Sequence, residues 1–329
     1  MKRSEWPLRL DTPCPPYMSV DTFMPDHPTD PADPEIYPLR FIARLEQLLA
    51  RIEASLPPAE PAPDWSALAW RWRQGWLQPV QAPQRIALSD LCCLERQIAE
   101  LERNTRQFLA GGGANHALLW GARGTGKSSL VKAILNEYSD QGLRLIEVGK
   151  EDLGSLPEIL DLIRDRPERF VLFCDDLAFE PGESGYTALK AALEGSIAAL
   201  PEHLLIYATS NRRHLLPESQ ADNRAAYLED GELHPGESVE AKVSLSDRFG
   251  LWIAFHPFTQ AQYLMTVRHW VKRLAPQALP PAESDWAAIE RAALQWALRR
   301  GSRSGRTAWQ FARDWAGRRA LEQFALAGR

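Results

Sequence analysis

Cysteine is scarce. Cys14, Cys92, Cys93 and Cys174 are the only four in 329 residues. They lack zinc-site spacing and are too few for a disulfide scaffold, so the sequence predicts a protein of the reducing cytoplasm. No apolar run approaches the ~20 residues that a bilayer-crossing helix needs, and Met1 to Leu10 is charged, without the apolar core of a secretory signal. Neither charge sign dominates: 38 basic against 43 acidic residues leave a net charge of −5, which gives no general argument for nucleic-acid binding. His203, His214, His234, His256 and His269 do not fall at metal-ligand spacing and read as structural. A composition of 45% hydrophobic and 25% charged residues excludes a wholly disordered chain, collagen and a coiled-coil rod. The length predicts about two domains.

Proline is abundant where order is hardest to build. Eight prolines lie between Pro13 and Pro38, and residues 21–35 carry five acids with no Lys or Arg. Each proline removes a backbone donor. This arm is either solvated or packed across the body or a neighbouring subunit, with Met18, Phe23, Met24 and Tyr37 as anchors. Leu39, Ile42, Leu45, Leu48, Leu49 and Ile52 recur at helical spacing and predict a helix over 39–56, ended by Pro57 and Pro58. Trp65, Leu68, Ala69 and Trp72 predict a further short amphipathic helix, and a helix over 89–109 is expected, capped by Ser89 or Asp90.

After Gly111-Gly-Gly113 the pattern changes. Short apolar runs at 116–120, 143–148, 170–174, 204–209 and 251–255 alternate with helical stretches at 127–137, 156–164 and 188–200. That alternation predicts an α/β domain, a parallel sheet sandwiched by helices. Residues 212–245 are polar and long for a connector, which predicts a partly helical insertion. From residue 259 the chain reads as three helices, about 259–274, 283–299 and 305–326. Residues 291–329 hold nine arginines against Asp314 and Glu322, a balance of +7. The expected domains are therefore 1–85, 86–258 and 259–329.

The strongest signal is Gly121-Ala-Arg-Gly-Thr-Gly-Lys127-Ser128, a G-x-x-x-x-G-K-[ST] match between an apolar strand and an amphipathic helix. Gly121, Ala122, Arg123, Gly124, Thr125, Gly126, Lys127, Ser128 and Ser129 would form a cradle whose N–H groups and helix start bind phosphate. Lys127 would reach the β- and γ-phosphates of a nucleotide, and Ser128 would offer its hydroxyl to Mg²⁺. Arg123 and Thr125 occupy variable loop positions and receive no separate role.

The run Phe170–Cys174 leads into Asp175-Asp176 at the sheet's C-terminal edge. Asp175 is the expected metal acid, and Asp176 or Glu180 would polarise the attacking water. Asn211, just past the next strand, would orient that water or else cap a turn. Arg212 and Arg213 suit phosphate, partner or insertion contacts.

These segments resemble an AAA+ P-loop ATPase, with Walker A at 121–128, Walker B at 170–176 and sensor 1 at Asn211. The phrases 119–130, 173–177, 206–214, 245–250 and 303–306 are similar to those of the bacterial DUF815 family, over about Leu91 to Phe311. The resemblance implies a C-terminal helical lid, an N-terminal helical extension, and ATP with Mg²⁺ as ligands. It implies ATP rather than GTP, and the guanine-reading Asn-Lys-x-Asp pattern is missing. It implies that Arg248, in Ser246-Asp-Arg-Phe-Gly250, is an arginine finger acting on the next subunit of a ring or spiral, a hexamer being one such form. The alternative there is an ordinary ion pair to a nearby acid. Arg306, with Arg303 second, would be sensor 2. Adenine is expected near Asp90, Leu91 and Leu94. The chain departs from the common pattern in carrying Asp176 where most relatives carry Glu. The expected partners are further copies of the chain and an unidentified protein, with nucleic acid a weaker expectation and no membrane. The motor reading is remodelling of that partner; the alternatives are a slow ATP-loaded switch or a nucleic-acid-associated loader.

Overall fold

A computed structural model describes residues 36–55, 62–180, 183–194, 200–213, 215, 227–229, 232–234, 245–278 and 283–327. The acidic arm, with Met18, Phe23 and Met24, lies outside them. So does most of the 212–245 insertion, and so do residues 195–199 of the helix expected over 188–200. Two units divide the chain, 1–60 and 61–329. The described part of the first is helix α1, Ile36–Ser55, along which Phe41, Ile42, Leu45, Leu48 and Leu49 recur at three- and four-residue spacing.

The second unit opens with a hairpin where a helix was expected. β1 (Ala69–Arg73) and β2 (Trp76–Pro79) pair antiparallel. The residues alternate Trp-Arg-Trp-Arg, so Trp70 and Trp72 point to one buried side while Arg73 is exposed. Trp65 lies before the strand, and the seven-residue spacing of 65 and 72, two helical turns, is what makes the set read as a helix. Gln74 and Gly75 both hold positive φ, +54° and +87°, the combination that a tight two-residue hairpin turn demands.

The helix expected over 89–109 is also shorter. A single 3-10 turn spans Leu88–Asp90, and helix α2 begins at Glu95 and runs to Leu109. Asp90 does not cap it: its carboxylate accepts from the Ala87 N–H at 3.2 Å, and Cys93 at φ +62° breaks the helical path.

The rest follows the βα alternation. β3 is Ala117–Gly121, α3 Lys127–Tyr138, β4 Leu143–Val148, α4 Leu156–Ile163, β5 Arg169–Cys174, α5 Ser184–Glu194 and β6 Leu204–Ser210. Within the insertion, β7 (Tyr227–Glu229) and β8 (Glu232–His234) form a small antiparallel pair; the rest of the stretch expected to be partly helical lies mostly outside the described residues. β9 is Leu251–Phe255, followed by α6 (Gln260–Leu274), α7 (Glu283–Arg299) and α8 (Gly305–Ala327). Thr259 opens α6 with a reciprocal cap, its hydroxyl accepting from the Gln262 N–H at 3.3 Å while the Gln262 side chain takes the Thr259 N–H at 2.9 Å.

The main sheet has seven strands in the order β2-β1-β4-β5-β6-β3-β9, all neighbours parallel except β1 and β2. Both faces are covered, which is why its strands read as unbroken apolar runs. Leu119, Val171, Phe173 and Tyr207 pack on the side of α2, α3 and the C-terminal helices. Their neighbours Leu118, Leu172 and Ile206 pack on the other side with Trp70, Trp72, Ile159 and Leu189. Each such side chain contributes about 1.5–3 kcal/mol by leaving water. β3 lies between β6 and β9, and the chain leaves it to cross over β6 and β5 to β4. The C-terminal ends of β3, β5 and β6 therefore converge, and a ligand crevice opens at that edge.

Candidate functional site

Three consecutive constraints shape the loop after β3. Gly121 has φ +132°, and a Cβ there would collide with the Phe255 carbonyl oxygen of β9. Gly124 (φ +76°) has Ser304 against it, and Gly126 (φ +108°) has Leu94 against it. Glycine alone meets both demands at these positions. α3 then starts with the Leu130 N–H donating to Gly126 O at 2.8 Å, so its first turn faces the crevice.

Lys127 is only 7% exposed. Its ammonium donates to Gly121 O and Ala122 O, each at 2.8 Å, and to Asn211 Oδ1 at 3.1 Å. Burial lowers its pKa below the ordinary lysine value, against the opposing pull of Asp176 and Asp175. Thr125 is turned inward, donating to Ala122 O at 2.8 Å.

The two acids after β5 have different surroundings. Asp175 Oδ1 accepts from Ser128 Oγ and from Thr209 Oγ1, both at 2.6 Å. Asp176 sits at φ +53°, a conformation that costs a non-glycine residue about 1–2 kcal/mol. Its N–H donates to Thr209 Oγ1 at 2.8 Å, its Oδ1 accepts from Asn211 Nδ2, and Arg123 Nη2 approaches its Oδ2 at 3.7 Å. Thr209 thus holds both acids, and sequence reasoning passed over it. Its signal was position alone, a hydroxyl near the end of the strand beside the phosphate loop. Glu180 is elsewhere: its N–H bonds Glu183, and it does not line the crevice.

The crevice is a cavity of about 930 Å³, the size of a nucleotide-scale ligand site. Gly124–Ser129, Arg123, Asp175, Asp176, Asn211 and Arg306 supply its polar lining. Leu91, Leu94, Phe258, Trp270 and Trp309 supply apolar lining, with Leu94 set against Gly126. The three aromatic residues were not anticipated, because they reach the crevice from the link after β9 and from two C-terminal helices. The Arg306 N–H donates to Gly124 O at 3.2 Å, so α8 touches the loop directly. Arg303 is not among the lining residues. Asp90 is 5% exposed and engaged by Arg273, with His269 Nε2 at 3.5 Å. It ties the entry segment to α6. Arg248 lies outside the crevice and pairs with Glu194 at 2.8 Å. Arg213 stacks over Trp120 at 5.7 Å.

The donor set suits a small hard cation. A hydroxyl and a carboxylate stand 2.6 Å apart at the start of α3, oxygen donors of the kind Mg²⁺ takes beside phosphate oxygens and water. No cluster of three or more His, Cys, Asp or Glu that could hold a metal by itself occurs among the described residues, and none of their helices is long and apolar enough to cross a membrane.

A family model described as "Protein of unknown function (DUF815)" matches residues 64–319. Among solved structures the chain is similar to the Aeropyrum pernix Orc1 protein in complex with DNA, at 16% identity and TM-score 0.48 over 69% of this chain and 61% of that one. It is similar to a point mutant of Thermotoga maritima RuvB, at 19% identity and TM-score 0.44 over 70% and 64%. It is also similar to the Thermotoga maritima RuvB Holliday junction branch migration motor, at 13% identity and TM-score 0.39 over 68% and 70%. The chain thus spans less than two thirds of the first two structures' length. No curated protein matches it.

Proposed function

The chain belongs to the DUF815 family and has the AAA+ form of the P-loop NTPase fold, and from that premise we propose that it binds ATP with Mg²⁺ and hydrolyses it to drive a change in a protein partner. The observation that carries this reading is the meeting of Lys127, Ser128 and Asp175 at one loop mouth, with the Ser128 hydroxyl 2.6 Å from the acid.

The reaction is ATP⁴⁻ + H₂O → ADP³⁻ + HPO₄²⁻ + H⁺. Water oxygen forms the new bond to the γ-phosphorus, the β–γ bridging P–O bond breaks, and its electron pair leaves with ADP. The loop N–H groups from Gly124 to Ser128 cradle the phosphates. Lys127 exchanges its carbonyl partners for β- and γ-phosphate oxygens. Asp176 takes the water proton, and Asn211, already bonded to it, fixes its orientation. Mg²⁺, when bound, supplies neutralisation of phosphate charge, and Ser128 and Asp175 are the residues to hold it. Arg306 brings the helical lid's charge to the phosphates from the start of α8. Leu91, Leu94, Trp270 and Trp309 would take the adenine ring. Arg248 would act on the site of a neighbouring copy in a ring or spiral.

A second reading is an ATP-loaded switch with slow turnover. It is favoured by Asp176, a methylene shorter than Glu and bound by both Asn211 and Arg123. The +7 balance of residues 291–329 supports nucleic acid as a partner only weakly, since Arg318 and Arg319 are already paired with Asp314 and Glu322.

Calorimetric titration separates these. Wild-type protein should take up ATP in a Mg²⁺-dependent way, and Lys127→Ala should bind at least about 10-fold more weakly. Asp176→Asn should retain binding, lose phosphate release, and hold the partner. Well-folded wild-type protein with no Mg²⁺-dependent ATP uptake would sink the reading; uptake without detectable hydrolysis selects the switch.

A further inference from the structure

We propose that Arg123, inside the phosphate loop, is a catalytic cation that the chain supplies to its own active site; the inference rests on the ATPase reading above. Its loop is held from inside, by Lys127 donating to Gly121 O and Ala122 O and by Thr125 donating to Ala122 O, each at 2.8 Å. Its side chain has no packing role and is 77% exposed. Thr125 and Lys127 turn in against loop carbonyls, whereas Arg123 reaches outward along the crevice wall.

The contact it makes fixes which group it serves. Its guanidinium lies 3.7 Å from Asp176, the acid assigned to the water. On the reading above, Arg123 would therefore stand beside the terminal phosphate. The pair with Asp176 is long, and both members are more than half exposed; such pairs hold their members only weakly. A terminal phosphate carries more charge than one carboxylate and offers paired oxygen acceptors to a guanidinium fork. On nucleotide entry Arg123 passes to the γ-phosphate oxygens, and Asp176 is released toward water. Arg123 neither gives nor takes a proton. It stabilises the charge that grows on those oxygens as the bridging bond lengthens. A single chain then has a basal rate of its own, to which Arg248 of a neighbour adds.

The test uses the full chain with Arg123→Gln and Arg123→Lys. Steady-state hydrolysis is measured beside equilibrium binding of Mg²⁺–ADP with and without vanadate, which mimics the γ-phosphate in transfer. Arg123→Gln should lower kcat about 100-fold. It should leave ADP affinity within about threefold and weaken vanadate-dependent capture of ADP at least about 10-fold. Arg123→Lys should recover part of both losses. Intact ADP binding also shows that the variant is folded. Equal losses in ADP binding and vanadate capture would overturn the proposal, as would no change in either or a faster kcat. A hydrolysing wild-type protein beside an indifferent variant removes only the role of Arg123, whereas a wild-type protein that takes up no nucleotide removes the ATPase reading with it.

Discussion

Thr209→Val tests whether one buried hydroxyl organises both acids. The change keeps shape and replaces Oγ1 by a methyl group. Thr209 is 1% exposed, so water cannot take the lost group's place. Two bonds go: the donation to Asp175 Oδ1 at 2.6 Å and the acceptance from the Asp176 N–H at 2.8 Å. A hydrogen bond to a charged acceptor contributes about 1.5–3 kcal/mol, and an orphaned N–H costs about 1–3 kcal/mol where water is excluded. Asp176 is partly exposed, which recovers some of the second term, and release of its φ of +53° recovers about 1 kcal/mol more. The net expectation is a loss of about 2–3 kcal/mol in urea unfolding, read as a lower midpoint with unchanged slope. Asp176 would also move relative to bound water, and a misplacement of about 1 Å costs roughly 100-fold in rate. Phosphate release should fall by that factor, and Thr209→Ser should restore both properties. A valine variant within about 0.5 kcal/mol of wild type that also hydrolyses ATP normally would refute the reasoning.

His116 is pushed down to about 4 by burial, with Nδ1 accepting the Ile206 N–H at 3.0 Å. The folded chain thus holds fewer protons than the unfolded one between pH 6.5 and 4, so this contribution is complete above 6.5 and is lost as pH falls toward 4, about 3 kcal/mol in all. His116→Asn should flatten that part of the urea-midpoint profile, and an unchanged slope would show that His116 is not its source. Arg248→Ala should leave stability within about 1 kcal/mol, since the Glu194 pair is exposed, yet lower kcat about 100-fold or more. Mixed with Lys127→Ala it should recover activity, because one copy offers an intact loop and the other the arginine; no recovery, together with a specific activity constant down to dilute monomer, would eliminate action between subunits.

The parts of the site that were legible in the sequence are those whose chemistry dictates residue type at fixed spacing. Glycines 121, 124 and 126 are required by left-handed turns under close neighbours, and Lys127 with Ser128 must follow at the helix start. The sheet was legible because strands buried on both faces cannot alternate. The β1–β2 hairpin was not, because Trp72, two residues from Trp70 in the strand, also completes a helical stripe with Trp65, Leu68 and Ala69. Asp90 looked like a cap because an acid before an apolar helix usually is one; its partners Arg273 and His269 lie some 180 residues further along the chain. Thr209 was hidden for a different reason: a threonine one residue before the end of a buried strand is what strand preference alone would place there.

The contact between the Arg306 N–H and Gly124 O has a mechanical consequence. The first N–H groups of a helix have no partner within it, and here one of them is answered by the phosphate loop itself. α8 is 23 residues long, about 34 Å at 1.5 Å per residue. On the proposed reading that contact would make the helix a lever: a tilt of about 10° at the loop would swing its far tip by about 6 Å. A shift of a fraction of an ångström around bound phosphates would then be enlarged into a stroke the width of a side chain.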